Sequence, residues 1–155
     1  MTGAARFQYQ LDSLLKKRGA ERDEQLHERA GAQHEVEQCR VAFQAACEEV
    51  MRLEQLLRGV ASFGKALDLD EQARARDYLR DCRDQAAERR VALDQAEDRL
   101  TAIEARLRVT HESIRTLERH RDGQRQDFEA QWRRREQGLM DELWLLHEGN
   151  KQDSN

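Results

Sequence analysis

From Leu79 to Phe128 the chain repeats itself every seven residues. One position of the repeat is held by Leu79, Ala86, Leu93, Leu100, Leu107, Ile114, Arg121 and Phe128. A second position, three residues on, is held by Cys82, Arg89, Ala96, Ile103, Thr110, Leu117 and Gln124. Apolar residues returning at alternating steps of three and four line one side of an α-helix. A strict seven-residue period kept this long requires the helix to supercoil left-handedly around a partner. These are the a and d positions of a heptad. A second seam runs earlier, with Val36, Phe43, Val50 and Leu57 at a and Cys39, Ala46, Leu53 and Val60 at d.

Two such seams in one chain must bury each other or be buried by another molecule. Only 38% of the residues are hydrophobic and 5% aromatic, too few to fill a compact core, so the seams are the main source of burial. Disorder is disfavoured, because proline is absent and the abundant residues (Ala, Glu, Arg, Leu, Gln, Asp) are mostly good helix formers. Between the seams lies the stretch "RGVASFGKALDLDEQ", in which Gly59 and Gly64 are stop signals and Asp68 with Glu71 resembles a capping box.

The expected fold is all-α: two long helices in an antiparallel coiled-coil hairpin, the second longer and overhanging. The helices are expected over about 5–58 and 69–148, with a turn at 59–68 and a disordered tail at 149–155, the hairpin forming a single domain over 1–148. The competing arrangement is one continuous helix that dimerises in parallel. Phe7, Leu11, Leu14 and Leu15 make a short stripe near the start, whereas residues 18–31, bracketed by Gly19 and Gly31, are weakly patterned and read as a soft spot.

Pairing the helices about a turn near residue 63 places Phe7 beside His120 and leaves everything after about residue 122 without a partner. That overhang, "FEAQWRRREQGLMDELWLLHE", contains both tryptophans of the chain, Trp132 and Trp144, and the triplet Arg133, Arg134 and Arg135. Phe128, Trp132, Leu139, Leu143 and Leu146 form a stripe along it. An unsupported amphipathic helix is marginal in water, and each large apolar side chain left exposed forgoes about 1.5–3 kcal/mol. Trp and Arg are also common interface anchors. The stripe therefore points to a partner molecule, with folding back of the N-terminal segment or self-association as alternatives. The turn is the other candidate surface, where Met51, Leu56, Phe63 and Tyr78 place apolar groups close to the bend.

Several function classes find no support. The net charge of −4 comes from interspersed signs, a pattern of solvated helix faces and not of a nucleic-acid footprint. Cys39, Cys47 and Cys82 are odd in number with no C-x-x-C spacing, as expected of small buried thiols in a reducing compartment. No apolar run suits a bilayer span or a signal peptide, so a cytoplasmic protein without direct membrane insertion is expected. The histidines show no ligand spacing, and a two-helix hairpin offers no desolvated cleft to activate a carboxylate pair. No catalytic residue, metal or cofactor is assigned.

The two ends carry a resemblance. The opening "RFQYQLDSLLKKRGAERDEQ" and the closing "FEAQWRRREQGLMDELWLL" resemble the FliJ/YscO family, stalk subunits of type III export ATPases. The shared features are an aromatic residue before a Leu-Leu pair and a charged helix at the start. At the end, a charged helix closes in an R-x-E-x-x-x-x-D-E-L stretch, here Arg134, Glu136, Asp141, Glu142 and Leu143. The resemblance implies a non-enzymatic hairpin whose open end enters a hexameric export ATPase and whose turn faces a membrane export gate protein. Phe7, Leu11, Phe128, Trp132, Arg133, Arg134, Arg135, Leu139 and Trp144 would then meet the ATPase ring. Met51, Leu56, Phe63 and Tyr78 would approach the gate. The family is further linked to export chaperones and places the chain in a bacterium with a flagellum or an injectisome. Two other readings stay open: a homodimeric coiled-coil scaffold, and a cytosolic secretion chaperone for an apolar client helix.

Overall fold

The computed structural model of the chain describes residues 6–62 and 68–152. Within them stand two helices, α1 (Asp12–Ser62) and α2 (Leu69–Gln152), and no strand. They form an antiparallel hairpin, and α2, at 84 residues against 51, overhangs α1. A parallel dimer through the same seams is thereby displaced, since the seams are occupied within one chain.

The contacts fall into two units. In the first to be described, Arg22–Val109, the core is Val36, Leu93 and Ala96, with Cys39, Phe43 and Leu100 packed against it. Ala96, only 1% exposed, is the most deeply covered residue of this set. Its small side chain leaves room for Val36 of the facing helix to pack beside Leu93. Arg90 lies over the Phe43 ring, its guanidinium carbon 5.6 Å from the centroid. Every a and d position from Val36 to Val60 is buried or half-buried. The exception on α2 is Arg89, which sits at a d position yet is exposed; a long side chain can leave the seam and carry its charge to water.

Ion pairs join the helices in this unit, among the described residues Arg29–Glu104, Arg40–Glu97, Arg83–Glu54, Arg99–Glu35 and Arg106–Glu28. Arg40, Glu97, Glu54 and Arg83 each follow a d position. Glu35 and Arg99 each precede an a position, and Glu28 and Arg106 do so once the heptad is continued back to residue 29. Antiparallel helices bring like flank to like flank, so these pairings require opposite directions. Each exposed pair is worth less than about 1 kcal/mol. Their directions agree with the antiparallel pairing that the seam sets.

The other unit joins Met1–Glu21 to Thr110–Asn155. Here Ile114 and Thr110 are buried on α2, and Tyr9 on the N-terminal segment. α1 begins at Asp12 and not near residue 5. Residues 6–9 are non-helical, a turn spans Gln10 and Leu11, and the Asp12 amide donates to the Tyr9 carbonyl at 3.2 Å. Asp12 suits this position, where a carboxylate faces the positive end of the helix dipole, and it pairs with Lys16 at 2.7 Å. What keeps the helix from starting earlier is Tyr9. Its hydroxyl donates to the Leu117 carbonyl at 3.0 Å and lies 3.1 Å from His120 Nδ1.

At the bend, α1 continues through Gly59 to Ser62, four residues beyond the expected end. Glycine inside a helix costs only about 1 kcal/mol, and Gly59 and Val60 are half-buried. Asp68 precedes α2 as its cap, its carbonyl accepting the Gln72 amide at 3.0 Å. Phe7 packs on Phe128, roughly two helical turns beyond the expected His120. Helix α2 runs to Gln152, through most of the expected tail, and residues 153–155 lie outside the described residues. Residues 18–31 are helical throughout. Their seam is held by half-buried Arg18, Arg22 and Arg29 with buried Gln25 and Ala32.

Candidate partner-binding surfaces

Phe7 and Tyr9 alternate along a non-helical stretch, so both side chains can face the same way. Phe7 meets Phe128 with ring centroids 5.8 Å apart and planes tilted by 51°. Tyr9 meets His120 at the same separation. The N-terminal segment thus folds along the root of the overhang, one of the arrangements anticipated for it. An open groove beside this contact is lined by Arg6, Phe7, Arg121, Arg125, Phe128 and Glu129. Of its guanidiniums, Arg121 pairs with Asp122 at 3.3 Å and Arg125 with Glu129 at 2.9 Å.

Beyond the root the helix is open. Phe7, Phe128 and Trp132 are half-buried, and Leu11 is exposed at the turn before α1. Arg133, Arg134, Arg135, Leu139 and Trp144 are all exposed, Leu139 at 59% and Trp144 at 61%. Arg133 turns back, its Nε donating to the Glu129 carbonyl at 3.3 Å. The residues expected to act together therefore divide: Phe7 and Phe128 are in contact with each other, Trp132 is half-buried, and those from Arg133 on face solvent. Sequence reasoning passed over Met140 and Leu145, which are as exposed as Leu143. A helical wheel would have shown that they, like Trp144, lie off the Leu139–Leu143 stripe and widen the apolar surface. It also passed over Tyr9, the buried tie; the alternation Phe7, Tyr9 was the available signal.

In the unit that holds the bend, Met51, Leu56 and Tyr78 are each more than half exposed, as is Leu69. Phe63 lies outside the described residues. The Tyr78 phenol is held above its ordinary value of 10.0 first by a hydrogen bond with Cys82 and then by the nearby Cys82 and Glu49 charges. All three cysteines are free thiols, Cys82 buried and the other two half-buried. Among the described residues no helix is long and apolar enough to cross a membrane, and no group of His, Cys, Asp or Glu gathers as metal donors.

Fold and surfaces together define a coiled-coil hairpin that exposes large apolar side chains near its bend and along the free end of its longer helix. No protein-family model, curated protein or solved structure matches the chain.

Proposed function

We propose that the chain is the central stalk of a type III protein export apparatus, a non-enzymatic hairpin that couples a hexameric export ATPase to the membrane export gate. The observation that carries this reading is the overhang: α2 continues past the level of Asp12 with Leu139, Met140, Leu143, Trp144 and Leu145 in solvent. A chain with so little apolar surface to spend would gain by covering these side chains with another molecule. The resemblance of the two ends to the FliJ/YscO family supplies the identity of that molecule, the ATPase ring. A stiff hairpin lodged in the ring could transmit its state to the gate through the exposed Met51, Leu56 and Tyr78. The protein would act in the cytoplasm, peripheral to the export apparatus at the inner membrane, with export chaperones as further partners.

The test is the ATP hydrolysis rate of the cognate export ATPase with and without the full chain. Stimulation that disappears when Trp132, Leu139 and Trp144 are replaced by serine supports both the reading and the surface. Stimulation that persists would refute the residue assignment, and a rate indifferent to the wild-type chain would refute the stalk. The same overhang would suit a secretion chaperone. That reading predicts stoichiometric binding of a client helix with no effect on ATP hydrolysis.

A further inference from the structure

The overhang carries an apolar stripe with charge along one flank. Successive residues of a helix step by about 100°, so Trp132, Leu139 and Leu143 fall within about 40° of one another. One flank of that stripe carries Arg135, Gly138 and Glu142. Arg135 and Glu142 are seven residues apart and hence within about 20° of each other on the helix surface.

Elsewhere several surface arginines pair with carboxylates three or four residues away, as in Arg40–Glu37, Arg58–Glu54, Arg80–Asp77, Arg90–Asp94 and Arg125–Glu129. Such spacing places the two groups on adjacent turns. Arg135 has no such neighbour: the residues three and four away are Gln131, Trp132, Gly138 and Leu139. Glu142 has none either, facing Gly138, Leu139, Leu145 and Leu146. Both are exposed, and neither makes an ion pair among the described residues. At seven residues, two turns apart, they are too distant to satisfy each other within one helix.

We infer that two overhangs associate antiparallel about a two-fold axis near Leu139, Arg135 of each copy pairing with Glu142 of the other. The same axis brings Leu139 against its own equivalent and each Trp132 against the opposite Leu143. One patch thus serves both copies, as an isologous two-fold contact requires. A parallel arrangement instead puts this flank of the two copies on opposite sides of the seam, where Arg135 and Glu142 do not meet. Gly138 lies between the two charges on the same flank; a β-carbon there would meet nothing within 4 Å, so the flank is open to the partner's arginine. This pairing does not rest on the stalk reading. On that reading it has a consequence: two free chains hide the surface that either would offer to an ATPase ring, so self-association and ring binding compete.

The test is sedimentation equilibrium of the full chain from micromolar to near-millimolar concentration. The wild-type protein is expected to pass from monomer to dimer. Arg135→Glu and Glu142→Arg each turn two attractive contacts into two repulsive ones and should each weaken the dimer about tenfold or more. Arg135→Glu/Glu142→Arg in one chain should restore it, and an equimolar mixture of the two single variants should form a heterodimer. A wild-type chain that stays monomeric throughout would overturn the inference. So would single variants that dimerise as the wild type does, or a double variant that fails to recover. None of these outcomes depends on ATP hydrolysis, so failure here and failure of the stalk reading are distinguishable.

Discussion

Leu93→Ala is the substitution that tests the hairpin most directly. Leu93 is 4% exposed and packs with Val36 across the seam and with Ala96 one turn on. Truncation removes three carbon atoms, a transfer loss of about 2.4 kcal/mol at ~0.8 kcal/mol per buried methylene. A cavity term adds to this in a rigid core. Here it should be small, because the neighbouring Cys39, Phe43 and Leu100 are only half-buried and can settle into the gap. The expected cost is about 2–3 kcal/mol, near the low end for such changes. For a chain of this size that lowers the melting temperature by roughly 5–10 °C. The assay is urea denaturation followed by far-ultraviolet circular dichroism, with Val91→Ala as the control. Val91 is 54% exposed, two residues from Leu93 on the same helix, and its truncation should stay within about 0.5 kcal/mol. If the two variants cost the same, Leu93 is not buried against Val36 and the register described above is wrong.

Tyr9→Phe removes the hydroxyl that bonds the Leu117 carbonyl and approaches His120; a loss of about 1 kcal/mol is expected, with faster amide exchange at Leu15, whose amide donates to the Leu11 carbonyl. Unchanged exchange there would show that the N-terminal turn does not depend on this tie. Glu54 titrates below its ordinary value of 4.5, first because Arg83 hydrogen-bonds its carboxylate. A carboxylate with a lowered folded pKa adds stability that is fully present above the unfolded value and lost as pH falls through the folded one. Glu54→Gln should therefore lower the urea midpoint at neutral pH, with the difference closing as the pH drops well below 4.5. A difference that persists at low pH would mean that packing and not charge is responsible.

The seams from Val36 to Val60 and from Leu79 to Phe128 were legible because a seven-residue period is a local property of the sequence and a helix converts it directly into one face. The bend was legible only roughly. Gly59 marks a tolerable break, but whether a helix stops at a glycine depends on the burial of its neighbours, and half-buried Val60 carries α1 on to Ser62. The segment 18–31 looked soft for the same reason. Its seam holds Gln25 and arginines, and continuity there comes from the opposing helix and from pairs such as Arg29–Glu104, which span 75 residues of sequence. On the surfaces, composition was enough to single out the tryptophan- and arginine-rich end. The division of that set, with Phe7 and Phe128 against each other and Leu139 and Trp144 left in solvent, followed from the register. Register is a sum over many weak cross-helix contacts, and no single stretch of sequence contains that sum. The sequence by itself thus determined that this chain forms two amphipathic helices able to bury each other, and the tertiary structure decided how far one slides along the other and hence which side chains remain exposed.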